Sequence, residues 1–173
     1  ASNASISFED DDCGQSNPNI RASWGNDPAL LYDDQWHHIS LVVGTNYHEI
    51  YLDGTLLNMN YSLGSSSIGN FLWHSNVTKI EIGHRFYQSN ADGHFNGMID
   101  EVMTWNTALT QSEIQQYMSC PPTGSEAGLV GYWNFEEGSG SVANDLSGNG
   151  NHGTINGASW SSDVPSQSCG LAC

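Results

Sequence analysis

The sequence predicts an all-β chain: two packed antiparallel sheets with one short helix. Three observations predict it. Apolar and polar residues alternate over short runs, clusters of Gly, Asn and Ser punctuate those runs, and a single segment carries helix-start chemistry. With 173 residues, 38% of them hydrophobic, the chain is long enough for one domain with its own core. Its 19 glycines suit a turn-rich architecture.

The first strand runs from Trp36 to Val43, where Ile39, Leu41 and Val43 fall on one face and His38 and Ser40 on the other. A second follows at Glu49 to Leu52, closed by Asp53-Gly54, a pair that tolerates the positive φ of a hairpin turn, and the two together read as a β-hairpin. Further strands are expected at Lys79 to Gly83, Gly97 to Trp105 and Gly128 to Phe135. The helix starts at Thr110-Gln111-Ser112-Glu113, a capping box in which Thr110 and Glu113 satisfy each other's backbone, and should run to about Met118. Ile114 and Met118 share its inner face. The stretch Cys120-Pro121-Pro122-Thr123-Gly124-Ser125 reads as a linker, which divides the chain into a body at 1–119, a linker at 120–127 and a C-terminal segment at 128–173.

Charge narrows the partners. Three Lys+Arg stand against 19 Asp+Glu, a formal net charge of −16, so a nucleic-acid backbone or an anionic membrane surface would be repelled. No apolar stretch approaches the roughly 20 residues of a membrane-spanning helix, so membrane insertion is not expected. Ala1 opens without a basic, apolar leader, as in a mature or excised fragment. Cys13, Cys120, Cys169 and Cys173 lack zinc-site spacing and suggest two disulfides in an oxidising compartment, with the connectivity open. Asn3, Asn60 and Asn76 head sequons.

Asp34-Gln35-Trp36-His37-His38-Ile39, followed by Tyr51-Leu52-Asp53-Gly54, resembles the central hairpin of laminin G-like and pentraxin-like domains. Phe95-Asn96-Gly97-Met98-Ile99-Asp100-Glu101-Val102, then Trp105-Asn106 and Ala108-Leu109-Thr110, resembles the closing strand of the same family. Gly128 to Gly138, with Asp145 to Gly153, resembles its opening strand and the loop after it. The resemblance implies a concanavalin A-like jelly-roll sandwich, with the opening strand placed at the C-terminus. That strand, through Leu129, Trp133 and Phe135, would complete either its own sandwich or a neighbouring one by strand addition. The second case makes a head-to-tail interface with copies of the chain or with neighbouring repeats.

The loop Asp145-Leu146-Ser147-Gly148-Asn149-Gly150-Asn151 is rich in oxygen ligands and resembles the family's calcium-associated loop. Its expected Ca2+ ligands are Asp145, Ser147, Asn149 and Asn151. Asp100 joins them, because alternation with Met98 and Val102 would turn its carboxylate toward apolar surroundings. Glu9-Asp10-Asp11-Asp12 reads as a solvated loop, and the seven histidines show no helical H-x-x-x-H pair for zinc. Nothing supports catalysis: there is no G-x-S-x-G elbow, no phosphate-cradling loop, and no Glu-x-Asp-x-x-Glu strand of the related glucanases. The expected function is a secreted, non-enzymatic structural or adhesive module, a calcium-stabilised repeat or filament subunit at a cell surface. The alternative is a carbohydrate-binding module of a secreted multidomain protein, with Trp24, Trp73, Phe86, Tyr87 or Trp160 stacking on glycans.

Overall fold

A computed structural model describes residues 33–44, 47–58, 80–87, 90–167 and 169, together with the backbone of three further short strands. Its strands are β1 (Ser7–Glu9), β2 (Arg21–Ser23), β3 (Ile39–Gly44), β4 (Tyr47–Leu52), β5 (Thr55–Leu56), β6 (Asn60–Leu63), β7 (His84–Tyr87) and β8 (Asn90–His94). After these come β9 (Val102–Trp105), the helix α1 (Gln111–Ser119), β10 (Leu129–Trp133), β11 (Val142–Ala143) and β12 (Gly153–Thr154). Cys13, Cys173, Asn3, Asn76, Trp24, Trp73 and Asp10 to Asp12 lie outside the described residues, as do the side chains of Glu9, Asn60, Phe86 and Tyr87. Among the described residues every strand pairing is antiparallel and there is one helix, as expected of an all-β chain.

The chain divides into two compact units, Ala1–His74 with Ala108–Ser119, and Ser75–Thr107 with Cys120–Cys173. This boundary differs from a body ending at residue 119, because the closing strand β9 pairs with β10 of the C-terminal segment.

In the first unit β3, β4 and β5 form a meander, with Val42 opposite Glu49 and Leu41 opposite Ile50. Asp53-Gly54 closes β4, as expected, and turns it into β5. Asp53 at φ 49° and Gly54 at φ 70° both occupy the left-handed region that such a two-residue turn requires. A side chain at Gly54 would meet the Gln115 side chain of α1. The expected facing of β3 is reversed in part: Ile39 is 52% exposed, and Val42, on the Ser40 face, is buried. The reason is α1, whose Ile114 packs with Val42 and Tyr51 over that face, with Leu109 alongside. Ile50 and Leu52 are buried on the opposite face of β4, so this strand is covered on both sides. The capping box forms: Thr110 N–H and Oγ1 donate to Glu113 Oε2, each at 2.7 Å, and Glu113 N–H returns to Thr110 Oγ1 at 3.4 Å.

In the second unit β7 pairs with β8, β9 with β10 and β11 with β12. Of the strand expected at Lys79 to Gly83, Lys79 lies outside the described residues, residues 80–83 are not strand, and β7 starts at His84 after Gly83 turns at φ 75°. The strand expected from Gly97 begins only at Val102, because Glu101 sits at φ 54° and breaks the alternation that would have set Asp100 on a face with Met98 and Val102. Residues 120–127, expected as a linker, carry bonds of their own. Cys120 is bonded to Cys169, Pro122 is buried, and Glu126 Oε1 accepts Thr123 N–H at 2.7 Å. At Gly124, φ 100°, any Cβ would collide with the carbonyl oxygen of Leu146.

Candidate functional site

Strand β10 is filled on one edge by β9, in the register Trp133 to Val102, Tyr132 to Met103 and Leu129 to Trp105. Its other edge would present bare backbone groups. The connection between β11 and β12 lies along that edge. Ala143 pairs with Gly153, which holds the two ends of residues 144–152 together as a hairpin loop.

The loop replaces a missing strand group by group. Tyr132 N–H donates to Asp145 Oδ1 at 3.0 Å, and Tyr132 O accepts Leu146 N–H at 2.7 Å. Val130 O accepts from Ser147 Oγ at 3.0 Å, Asn149 Nδ2 at 3.1 Å and Asn151 Nδ2 at 2.8 Å. Asn149 Nδ2 also reaches Leu129 O at 3.1 Å, and Trp133 Nε1 donates to Asn151 O at 3.0 Å. Asp145 is the centre of the arrangement. It is 6% exposed, its Oδ1 also takes Ser147 N–H at 2.9 Å, and its Oδ2 takes Asn151 N–H at 2.8 Å. Burial alone would raise its pKa, but the hydrogen bonds from Ser147, Tyr132 and Asn151 outweigh it and hold the carboxyl at about 2.

Of the residues expected to bind calcium, Asp145, Ser147, Asn149 and Asn151 are brought together along the edge of β10. Asp100 holds a hydrogen bond of its own. Its Oδ1 accepts the N–H of Glu101 at 3.0 Å. Burial pushes its pKa up to about 6; the Glu101 N–H works against this, and the charges of Glu101 and Glu136 add to it. Beside it, the Tyr132 hydroxyl donates to Glu101 Oε2 at 2.7 Å, and burial first, then that carboxylate, raises the phenol. Calcium takes six to eight oxygen ligands. Here both Asp145 oxygens face N–H donors, while the Ser147 hydroxyl and both amide groups donate to β10 carbonyls. Among the described residues no group of three or more His, Cys, Asp or Glu side chains is placed to hold a metal ion. As arranged, the loop side chains are engaged along the edge of β10.

Leu129 and Trp133 of the expected interface are 7% and 6% exposed, and Phe135 lies past the end of β10 at φ 53°. Trp160 is half-buried and donates its indole N–H to Gly140 O at 3.0 Å. Two constellations were not singled out by sequence. Asp33, His37 and Asp53 are hydrogen-bonded in series, signalled only by the i, i+4 spacing of Asp33 and His37. Tyr132 and Glu101 carry no local signal, being 31 residues apart.

A solved structure of an S-layer domain-containing protein from Clostridium thermocellum ATCC 27405 is 19% identical to the chain, with a TM-score of 0.42. The match covers 68% of this chain and 64% of that one. No curated protein matches the chain. A laminin G-like family described as the concanavalin A-like lectin/glucanases superfamily matches residues 3–115, more than half of the sequence and the part holding the central hairpin, the closing strand and the start of the helix. By that match the chain belongs to the concanavalin A-like lectin/glucanase superfamily.

Proposed function

We propose that the chain is a non-catalytic extracellular module whose role is structural or adhesive, and that its opening strand is completed in cis. One observation carries this reading: the polar side chains of the loop at residues 145–151, the best candidates for chemistry, are engaged in hydrogen bonds along the edge of β10. A loop used in this way replaces a strand and protects an edge against pairing with other chains. Addition of β10 to a neighbour would have to displace either β9 or the loop, so assembly by strand exchange at this position is disfavoured. The disulfide and the acidic composition suit an oxidising, extracellular setting. The loop needs no ion for its charge, because N–H donors already surround Asp145.

Light scattering of the full chain at rising concentration tests the reading. The expected result is a monomer throughout. Assembly that shields the amides of β10 while exposing those of the loop to hydrogen exchange would overturn the completion in cis. Saturable binding on a glycan array would move the module to the carbohydrate-binding class instead.

A further inference from the structure

His37 stands between two carboxylates. Its Nδ1 lies 2.8 Å from Asp53 Oδ2 and its Nε2 3.1 Å from Asp33 Oδ1, with the side chain 17% exposed. An ionised carboxylate only accepts hydrogen bonds, so a ring contacted in this way must donate from both nitrogens, which only the imidazolium form does. Asp33 is ionised accordingly: its hydrogen bond to His37 holds it below the usual carboxylate range.

The three groups tie distant parts of the first unit together. Asp53 Oδ1 accepts His38 N–H at 2.9 Å, and Asp53 N–H donates to His38 O at 2.9 Å. Asp33 Oδ1 also accepts Gln35 N–H at 3.0 Å. The next residue of the turn, Gly54, accepts the side-chain amides of Gln111 and Gln115 from α1 at 2.8 and 3.0 Å. Among the described residues, the charged groups set against the ring are Asp33 from the preceding loop and Asp53 from the turn. Asp34 flanks Asp33 in the chain, and α1 offers the turn only neutral amides. Burial holds the neighbouring His38 below the usual histidine range, so it adds no competing cation at neutral pH.

We propose that the Asp33, His37 and Asp53 series is a proton-controlled fastening, closed while the ring carries two protons and open once it loses one. Deprotonation leaves a nitrogen lone pair facing a carboxylate oxygen at hydrogen-bond distance, which is repulsive. Asp53 is braced by His38 and makes the shorter bond, so the Asp33 arm is the one that lets go. The hydrogen bond to Asp53 raises the pKa of His37 most, burial opposes it, and Asp33 adds to the rise. A raised folded-state value means that the stabilisation is complete below the ordinary histidine value of 6.5 and is lost as pH rises through the higher folded one. On the acid side it fades as Asp33 protonates, below the ordinary carboxylate value of 3.8. The fastening is therefore closed at mildly acidic pH and opens as pH rises through the raised folded-state value of His37, detaching the segment that leads into β3.

Nitrogen-15 shifts of the histidine rings, measured on the full-length chain across pH, test this. At pH 6 both His37 nitrogens should be protonated, the midpoint should lie above 6.5, and the Gln35 amide should titrate with it. Asp33→Asn should move the midpoint down, because it removes one of the two carboxylates that raise it. A singly protonated His37 ring at pH 6 in the wild-type chain overturns the proposal even if the variant fails to fold. A midpoint unmoved by Asp33→Asn overturns it equally.

Discussion

The carboxylate of Asp145 takes the backbone N–H of Tyr132 at 3.0 Å across 13 residues of sequence, and with that bond a loop stands in for a strand. Removing it should be felt throughout the second unit. Asp145→Ala deletes three N–H acceptor contacts at a buried site and should cost about 3 kcal/mol or more, since hydrogen bonds to charged groups contribute about 1.5 to 3 kcal/mol each and do not add fully. Asp145→Asn keeps acceptors for Tyr132 and Ser147 but turns an amide donor toward Asn151 N–H, so its loss should be smaller. Urea unfolding would rank the two, and equal stability of wild type and Asp145→Ala would refute the assignment.

Removing divalent cations should leave the melting temperature where it was. A ligand bound only by the folded chain adds about 2.7 kcal/mol at a hundredfold excess over its Kd, enough to move a melt visibly. Scanning calorimetry with and without excess chelator checks this, and a drop on chelation would restore the loop as a calcium site.

Stability should depend on pH through two carboxyls with opposite signs. Asp100 is raised to about 6, so the folded chain holds that proton more tightly than the unfolded one, and stability is gained as pH falls from about 7 toward 4. Asp145 is lowered to about 2, so its contribution is present above 3.8 and is lost as pH falls toward 2. Asp100→Asn should therefore stabilise the protein at pH 7 by about 1 kcal/mol, after allowance for partial exposure, and should gain little at pH 4. The same difference from wild type at both pH values would contradict this.

Reduction of Cys120–Cys169, which are 49 residues apart, should destabilise the second unit by about 4 kcal/mol on the chain-entropy account. Truncation after Thr123 is the harsher test. It removes β10 and leaves β9 unpaired on that side, so the product should aggregate, which size-exclusion chromatography would detect.

Local chemistry was legible in the sequence wherever it was short-range. Thr110 and Glu113 form the box that their spacing predicts, and Asp53-Gly54 turns at the end of β4, where it should. The Asp145 loop was visible as a concentration of oxygens and glycines. Its contacts along the edge of β10 were not, because the groups that could ligate a cation also serve a strand edge, and the place of that edge is set by the pairing with β9. Met98, Asp100 and Val102 alternate correctly for a strand, but the left-handed backbone at Glu101 cancels the pattern, and nothing in a glutamate announces it. Ile39 and Val42 exchange roles because a helix some 70 residues later covers the face that looked polar. The partner of Cys120 was beyond reach, since four cysteines leave three pairings open.

The disulfide that closes residues 120–169 also changes how the molecule would carry tension. A pull on the two ends of the chain follows the covalent path through the sulfur bridge, so β10, its loop and the β11–β12 arms lie off that path. The bypassed stretch of 49 residues represents about 170 Å of contour at full extension. That length stays hidden from a stretching force until a reductant opens the bridge, and then becomes available in one step.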